Sequence, residues 1–161
     1  MSADLKPTPF LDKVSRMFSA AGFHVTVTEY IFAAIWEKAG FNAAINATTA
    51  VCRVPCGGVG NVAQGRYLAA KIAEETAMVE NAYGVKASAE SIIKDLENTY
   101  TAHKGHFTSM AQDVQKKRKT EVDFINGGIV KKAKEKGLKV PYTEAVYDLL
   151  KVIENTYEIQ V

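Results

Sequence analysis

Between Ile31 and Ala50 the run IFAAIWEKAGFNAAINATTA sets Lys38, Asn42 and Asn46 four residues apart in otherwise apolar sequence. Side chains at that spacing stack on one face of a helix. After Lys38 the chain carries no charge until Arg53, so a helix here is apolar on nearly every face and is expected to lie mostly buried. A buried amide or ammonium without a partner costs on the order of 1–3 kcal/mol. Three such groups in a stack therefore point to a polar cavity or a bound substrate rather than to ordinary core.

Other residue patterns are weaker. Gly58-Val59-Gly60-Asn61-Val62-Ala63 fits G-x-G-x-x-A and precedes a helix, but Arg53, Pro55 and Cys56 stand where a dinucleotide fingerprint needs a buried strand, and no second βαβ unit follows. Cys52 and Cys56 have no nearby histidines or second cysteine pair, so a metal site is not expected. His103 and His106, three apart, read as surface or hinge residues. The basic run Lys116-Lys117-Arg118-Lys119, with Lys131, Lys132, Lys134, Lys136 and Lys139 after it, is interrupted by Glu121, Asp123 and Glu135 and has no alternating aromatics. It reads as a solvated face rather than a nucleic-acid surface. On spacing alone Ser109 is an N-cap and Glu121 a first-turn acid complementing a helix dipole.

The elements that must position these residues are almost all helical. Leu11 to Ala21 is amphipathic and closed by Gly22; a long helix is expected from about Thr28 to Asn46, and others over Ala63–Ala82, from Ser88 to about Lys104, and from Ser109 to Lys117. Thr120 with Asp123 forms a capping-box pattern opening a helix to Lys136, stopped by Gly137 and Pro141, and a last helix runs from Thr143 to Tyr157. Cys52 to Gly60 reads as a loop. Phe23 to Val27, FHVTV, is the one convincing strand, and one strand makes no sheet. The 161 residues suit one domain, here all-α with an orphaned helix and strand at its start. Two cysteines and no leader before Leu5 suggest reduced thiols in the cytoplasm. Ala39 to Val51 is too short to span a bilayer, and a net charge of +2 selects no charged partner.

Trp36-x-Lys38-x-x-x-Asn42-x-x-x-Asn46 followed by Thr49-Ala50, then Ser109-Met110-x-Gln112-Asp113, then Thr120-Glu121-x-Asp123-x-Ile125-Asn126-Gly127, together resemble the C-terminal domain of the ketopantoate reductase (2-dehydropantoate 2-reductase) family. The likeness continues through Gly137 and Pro141 to Ile153. It implies an all-helical domain of the 6-phosphogluconate dehydrogenase type over residues 28–161, with residues 1–27 a remnant of a Rossmann domain that holds NADPH. By the same resemblance Lys38 is the general acid that protonates the ketone oxygen. An ammonium set in an apolar wall gives up its proton more readily. Asn42 and Asn46 would bind substrate or position Lys38, Ser109 would bind the substrate carboxylate, and Glu121 would accept a hydrogen bond from the substrate hydroxyl and bias the charge of Lys38. Within the pattern, His106 and Cys56 stand where Asn is common, and Ala47 where Pro is.

The expected partners are a small 2-keto acid resembling ketopantoate and the Rossmann half, with neither nucleic acid nor membrane. The chain by itself is expected to bind no cofactor and to reduce nothing, and its pathway would be pantothenate biosynthesis. A free strand edge and apolar surface at Phe23–Val27 invite self-association, including a homodimer. The alternatives are a stand-alone helical dimerisation or binding module, or the substrate domain of a related 2-keto acid reductase.

Overall fold

The computed structural model describes residues 8–160. In chain order its helices are α1 (Pro9–Ala20), α2 (Ile31–Cys52), α3 (Cys56–Gly60), α4 (Ala63–Ala82), α5 (Ala89–Ala102), α6 (Ser109–Gln115), α7 (Asn126–Glu135) and α8 (Pro141–Asn155), followed by a 3₁₀ turn over Tyr157–Ile159. The expected all-α domain is present. The absence of a leader before Leu5 and the first residues of segment 1–27 lie outside the described residues.

The apolar run forms the axis of the bundle. α2 touches α3, α4, α5, α6 and α8, and it can do so because Gly40, Ala43, Ala44, Ala47 and Ala50 let neighbours approach closely. A Cβ on Gly40 would lie 2.8 Å from Ile92 Cδ1 and 3.0 Å from Thr76 Cγ2. Thr48 and Thr49, fully inside, donate their hydroxyls back to the carbonyls of Ala44 (2.6 Å) and Ile45 (2.8 Å), leaving no orphaned donor. The helix runs past Asn46 to Cys52 and stops at Arg53, which takes a left-handed conformation at φ 56°. The core is completed by Ile72 and Val79 from α4, Ile92 and Leu96 from α5, Met110 from α6 and Leu150 from α8. Glu75 ties α4 to the start of α8: its carboxylate accepts from the backbone N–H of Tyr142 (3.0 Å) and of Thr143 (2.8 Å) and from the Thr143 hydroxyl (2.7 Å).

Four expectations are corrected. Phe23–Val27 is not a strand; no strand occurs among the described residues. Its β-branched alternation favours extended backbone, but no neighbouring strand is present to pair with it. The apolar run is buried only from Gly40 to Ala50, whereas Phe32 and Ile35 in its first half are 54% and 55% exposed. Cys56–Gly60 is a helical turn rather than loop, because Pro55 precedes it in an extended conformation suited to an N-cap position. The helix expected from Thr120 opens only at Asn126.

α1 begins as its sequence dictates, with the Thr8 hydroxyl accepting from the N–H of Leu11 (3.2 Å) and Pro9 at the first helical position. It buries no residue among those described. Phe18 and Phe23 meet edge to face at 5.7 Å across the turn at Gly22. Among the described residues, no helix is long and apolar enough to cross a membrane.

Candidate active site

The stripe on α2 grades from water to core. Lys38 is exposed, Asn42 half-buried, and Asn46 only 7% exposed, because the helix enters the bundle at Gly40. The apolar wall expected around Lys38 is therefore not present among the described residues. None of the three side chains has a hydrogen-bonding or charged partner among those residues. Lys38 lines a cavity of about 470 Å³ with Glu37, Asp95 and His103. Asn42 and Asn46 line a second, of about 300 Å³, with Ile45, Cys56, His106 and Ser109. Phe41 and Thr99 belong to both, so the two abut as one cleft between α2 and α5, closed at its far end by α3 and α6.

Ser109 is not the N-cap its sequence suggests. Thr108 is: its hydroxyl accepts from the N–H of Ala111 (3.3 Å) and bonds the buried Thr49 hydroxyl (2.8 Å). Adjacent Thr and Ser are equivalent as caps by composition, and burial against α2 decides between them. Ser109 is left exposed at the first helical position, its hydroxyl free beside the cavity.

Glu121 lines neither cavity. It is exposed in a turn rather than in the first turn of a helix, and its carbonyl accepts from Phe124 and Ile125 N–H, both at 3.0 Å. That turn is anchored from both sides. Glu154 accepts from the Thr120 N–H (2.6 Å) and hydroxyl (2.8 Å). Asp123 receives Lys151 (2.9 Å) and the Tyr147 hydroxyl (3.1 Å). The Lys151 contact holds the Asp123 carboxyl below the usual carboxylate range. For Glu154 burial works in the opposite direction, but the bonds from Thr120 and Lys151 outweigh it.

Asn126 belongs to the third sequence motif, which gives it no role. Fully buried, it donates from Nδ2 to the Ala43 carbonyl at 3.1 Å, tying the start of α7 to α2 beside Asn42. Its place between Ile125 and Gly127 was the available signal, since a polar amide in a buried turn needs a backbone partner.

The far wall is built by backbone. Cys56 N–H donates to the His106 carbonyl and Gly57 N–H to the Lys104 carbonyl, each at 2.9 Å. A Cβ on Gly57 would meet Lys104 at 2.8 Å, one on Gly58 would meet Val54 at 2.7 Å, and one on Gly60 would meet Tyr100 at 2.3 Å. The glycines of the G-x-G-x-x-A pattern thus serve close packing, and this segment does not fit a phosphate-cradling loop. Desolvation pushes the thiols of exposed Cys52 and buried Cys56 up, which keeps both protonated near neutrality. In the basic run, Lys116 to Lys119 are exposed and Arg118 pairs with Asp113, as a solvated face would.

Residues 30–154 match the family model described as ketopantoate reductase PanE/ApbA C terminal. A 2-dehydropantoate 2-reductase of Pyrobaculum aerophilum is 32% identical over 142 residues, 88% of this chain and 50% of that protein. Among solved structures, a PanE/ApbA family ketopantoate reductase from Ralstonia eutropha superposes with a TM-score of 0.86 at 26% identity, covering 94% of this chain and 51% of the other. A D-mandelate dehydrogenase, solved with NADH and anilino(oxo)acetate, gives 0.86 at 25% identity over 91% of this chain and 48% of that one. The chain spans about half the length of the relatives it matches. With the spaced motifs, the helical fold and the family match in agreement, this chain belongs to the ketopantoate reductase family, corresponding to its C-terminal helical part.

Proposed function

We propose that this chain is the substrate half of an NADPH-dependent ketopantoate reductase, converting ketopantoate to pantoate for pantothenate biosynthesis in the cytoplasm. The observation that carries the reading is the convergence of Lys38, Asn42, Asn46 and Ser109, from two helices about 60 residues apart in sequence, on one cleft, with no side-chain partners among the described residues. Polar groups without partners inside the protein suit a polar ligand.

In this reading the cofactor, held by a Rossmann domain preceding residue 28, supplies hydride to the ketone carbon. Lys38 Nζ holds the proton that passes to the ketone oxygen. Asn42 and Asn46, one and two turns further along α2, orient the substrate by their amides, and Ser109 Oγ donates to its carboxylate. Glu121, which lines neither cavity, is assigned by the family resemblance alone to accept from the substrate hydroxyl and bias the charge of Lys38. Residues 1–27 belong with the nucleotide domain, and the cleft is complete only when that domain covers its Lys38 end. The isolated chain binds no nucleotide and turns nothing over.

The D-mandelate dehydrogenase likeness favours a second reading, a related 2-keto acid reductase with a different substituent on the ketone. One assay separates them: the chain is mixed with a separately expressed nucleotide-binding domain of the family and NADPH oxidation is followed with ketopantoate and with phenylglyoxylate. Oxidation that requires both proteins and prefers ketopantoate supports the first reading, a preference for phenylglyoxylate the second. Turnover by neither pairing removes both.

A further inference from the structure

The cavity that holds Asn42, Asn46 and Ser109 contains only two ionisable side chains, Cys56 and His106, and burial keeps the Cys56 thiol protonated. A carboxylate drawn into a partly enclosed site needs a counter-charge as well as hydrogen bonds. The abutting cavity offers Lys38 and His103, but Glu37 and Asp95 offset them there, and Lys38 is committed to the ketone. Lys104, on the same loop, packs its Cβ side against Gly57 and lines neither cavity.

His106 is held firmly. Its N–H donates to the His103 carbonyl (2.9 Å) and its own carbonyl accepts from Cys56 N–H (2.9 Å). The next residue, Phe107, accepts at its carbonyl from Gln112 Nε2 (2.8 Å). With both backbone groups fixed, His106 is exposed, lines the cavity and stands on a braced loop three residues from Ser109. We infer that His106 is a second carboxylate-binding residue, whose imidazolium works with the Ser109 hydroxyl to hold the acid group of the 2-keto acid. Neither His103 nor Cys56 takes that role. The inference rests on the proposed use of the cleft as the substrate site.

The test uses the full chain, ¹⁵N-labelled and mixed with an unlabelled nucleotide-binding domain of the family so that the cleft is covered. It is titrated by NMR with ketopantoate and with the uncharged ketopantolactone at about pH 6 and about pH 8, either side of the ordinary histidine range. Ketopantoate is expected to bind about fivefold more tightly at the lower pH, the size of an exposed charge-assisted contact, and the lactone equally at both. His106→Gln should abolish the difference, His106→Lys should keep tight binding at both, and His103→Gln should behave as the parent. Glu80 also titrates in this range beside Glu37, so the comparison of variants, rather than the pH effect alone, carries the test. An unchanged pH effect in His106→Gln, its loss in His103→Gln, or equal binding of acid and lactone overturns the inference and leaves the substrate cleft standing. If ketopantoate moves no cleft resonance in any form, the cleft reading fails and takes the inference with it.

Discussion

Glu80 is fully buried, and neither carboxylate oxygen has a hydrogen-bond partner among the described residues. Burial, and then the charge of Glu37, push its carboxyl up to about 7. The sign follows from linkage: a carboxyl that binds its proton more tightly folded than unfolded does not weaken the fold at acid pH, and destabilises it increasingly as pH rises through the ordinary carboxylate range to beyond 7. The penalty approaches about 3 kcal/mol on the alkaline side. Glu80→Gln should therefore leave urea stability nearly unchanged at about pH 4 and raise it by about 2–3 kcal/mol at about pH 8. Equal stability of parent and variant at both pH values would show that folding does not raise the Glu80 carboxyl. At this scale the sequence was most informative about the α2 stripe, where regular spacing alone marked Lys38, Asn42 and Asn46. It was silent about Glu80 and gave Asn126 a place in a motif but no role, because a lone polar residue in an amphipathic helix or a turn looks solvent-facing until the packing is known.

Between elements, the far wall of the cleft depends on α3 lying directly against α5. Gly60 sits on the ring and Cβ of Tyr100, leaving no room for a methyl group, and Arg66 braces the contact by pairing with Glu97 and with the Gly60 carbonyl. Gly60→Ala should cost about 1–3 kcal/mol, the usual range for overpacking, measured by thermal or urea unfolding. A loss below about 0.5 kcal/mol would mean that α3 shifts freely and does not fix the wall. The helices themselves were largely legible: α4 matches its expected span Ala63–Ala82, and Ser88 caps α5, its hydroxyl accepting from the Ser91 N–H at 3.3 Å. Three of the errors have a common origin. Phe23–Val27, the turn from Thr120 to Ile125, and the Thr108 cap were each decided by what lies across from them, a missing strand partner, Glu154 with Lys151, and Thr49, and local pattern cannot see such partners.

For the whole molecule, the bundle has a packed end and an apolar, uncovered end. Phe10 and Tyr30 are each 75% exposed, and Phe32 and Ile35 extend the same character along the first half of α2. Uncovered apolar surface of this kind drives association, so light scattering on the isolated chain should show dimers or larger species growing with concentration. A strict monomer at high concentration would contradict that expectation. The Lys38 end of the cleft lies in this same half of α2, so what covers the apolar surface also encloses Lys38. The decisive measurement is NADPH oxidation with ketopantoate by this chain mixed with a nucleotide-binding domain, comparing the parent with Lys38→Ala. Turnover is expected to need both proteins and to fall at least about 100-fold in the variant, the lower range for loss of a general acid; undiminished turnover by Lys38→Ala would rule out Lys38 as the proton donor.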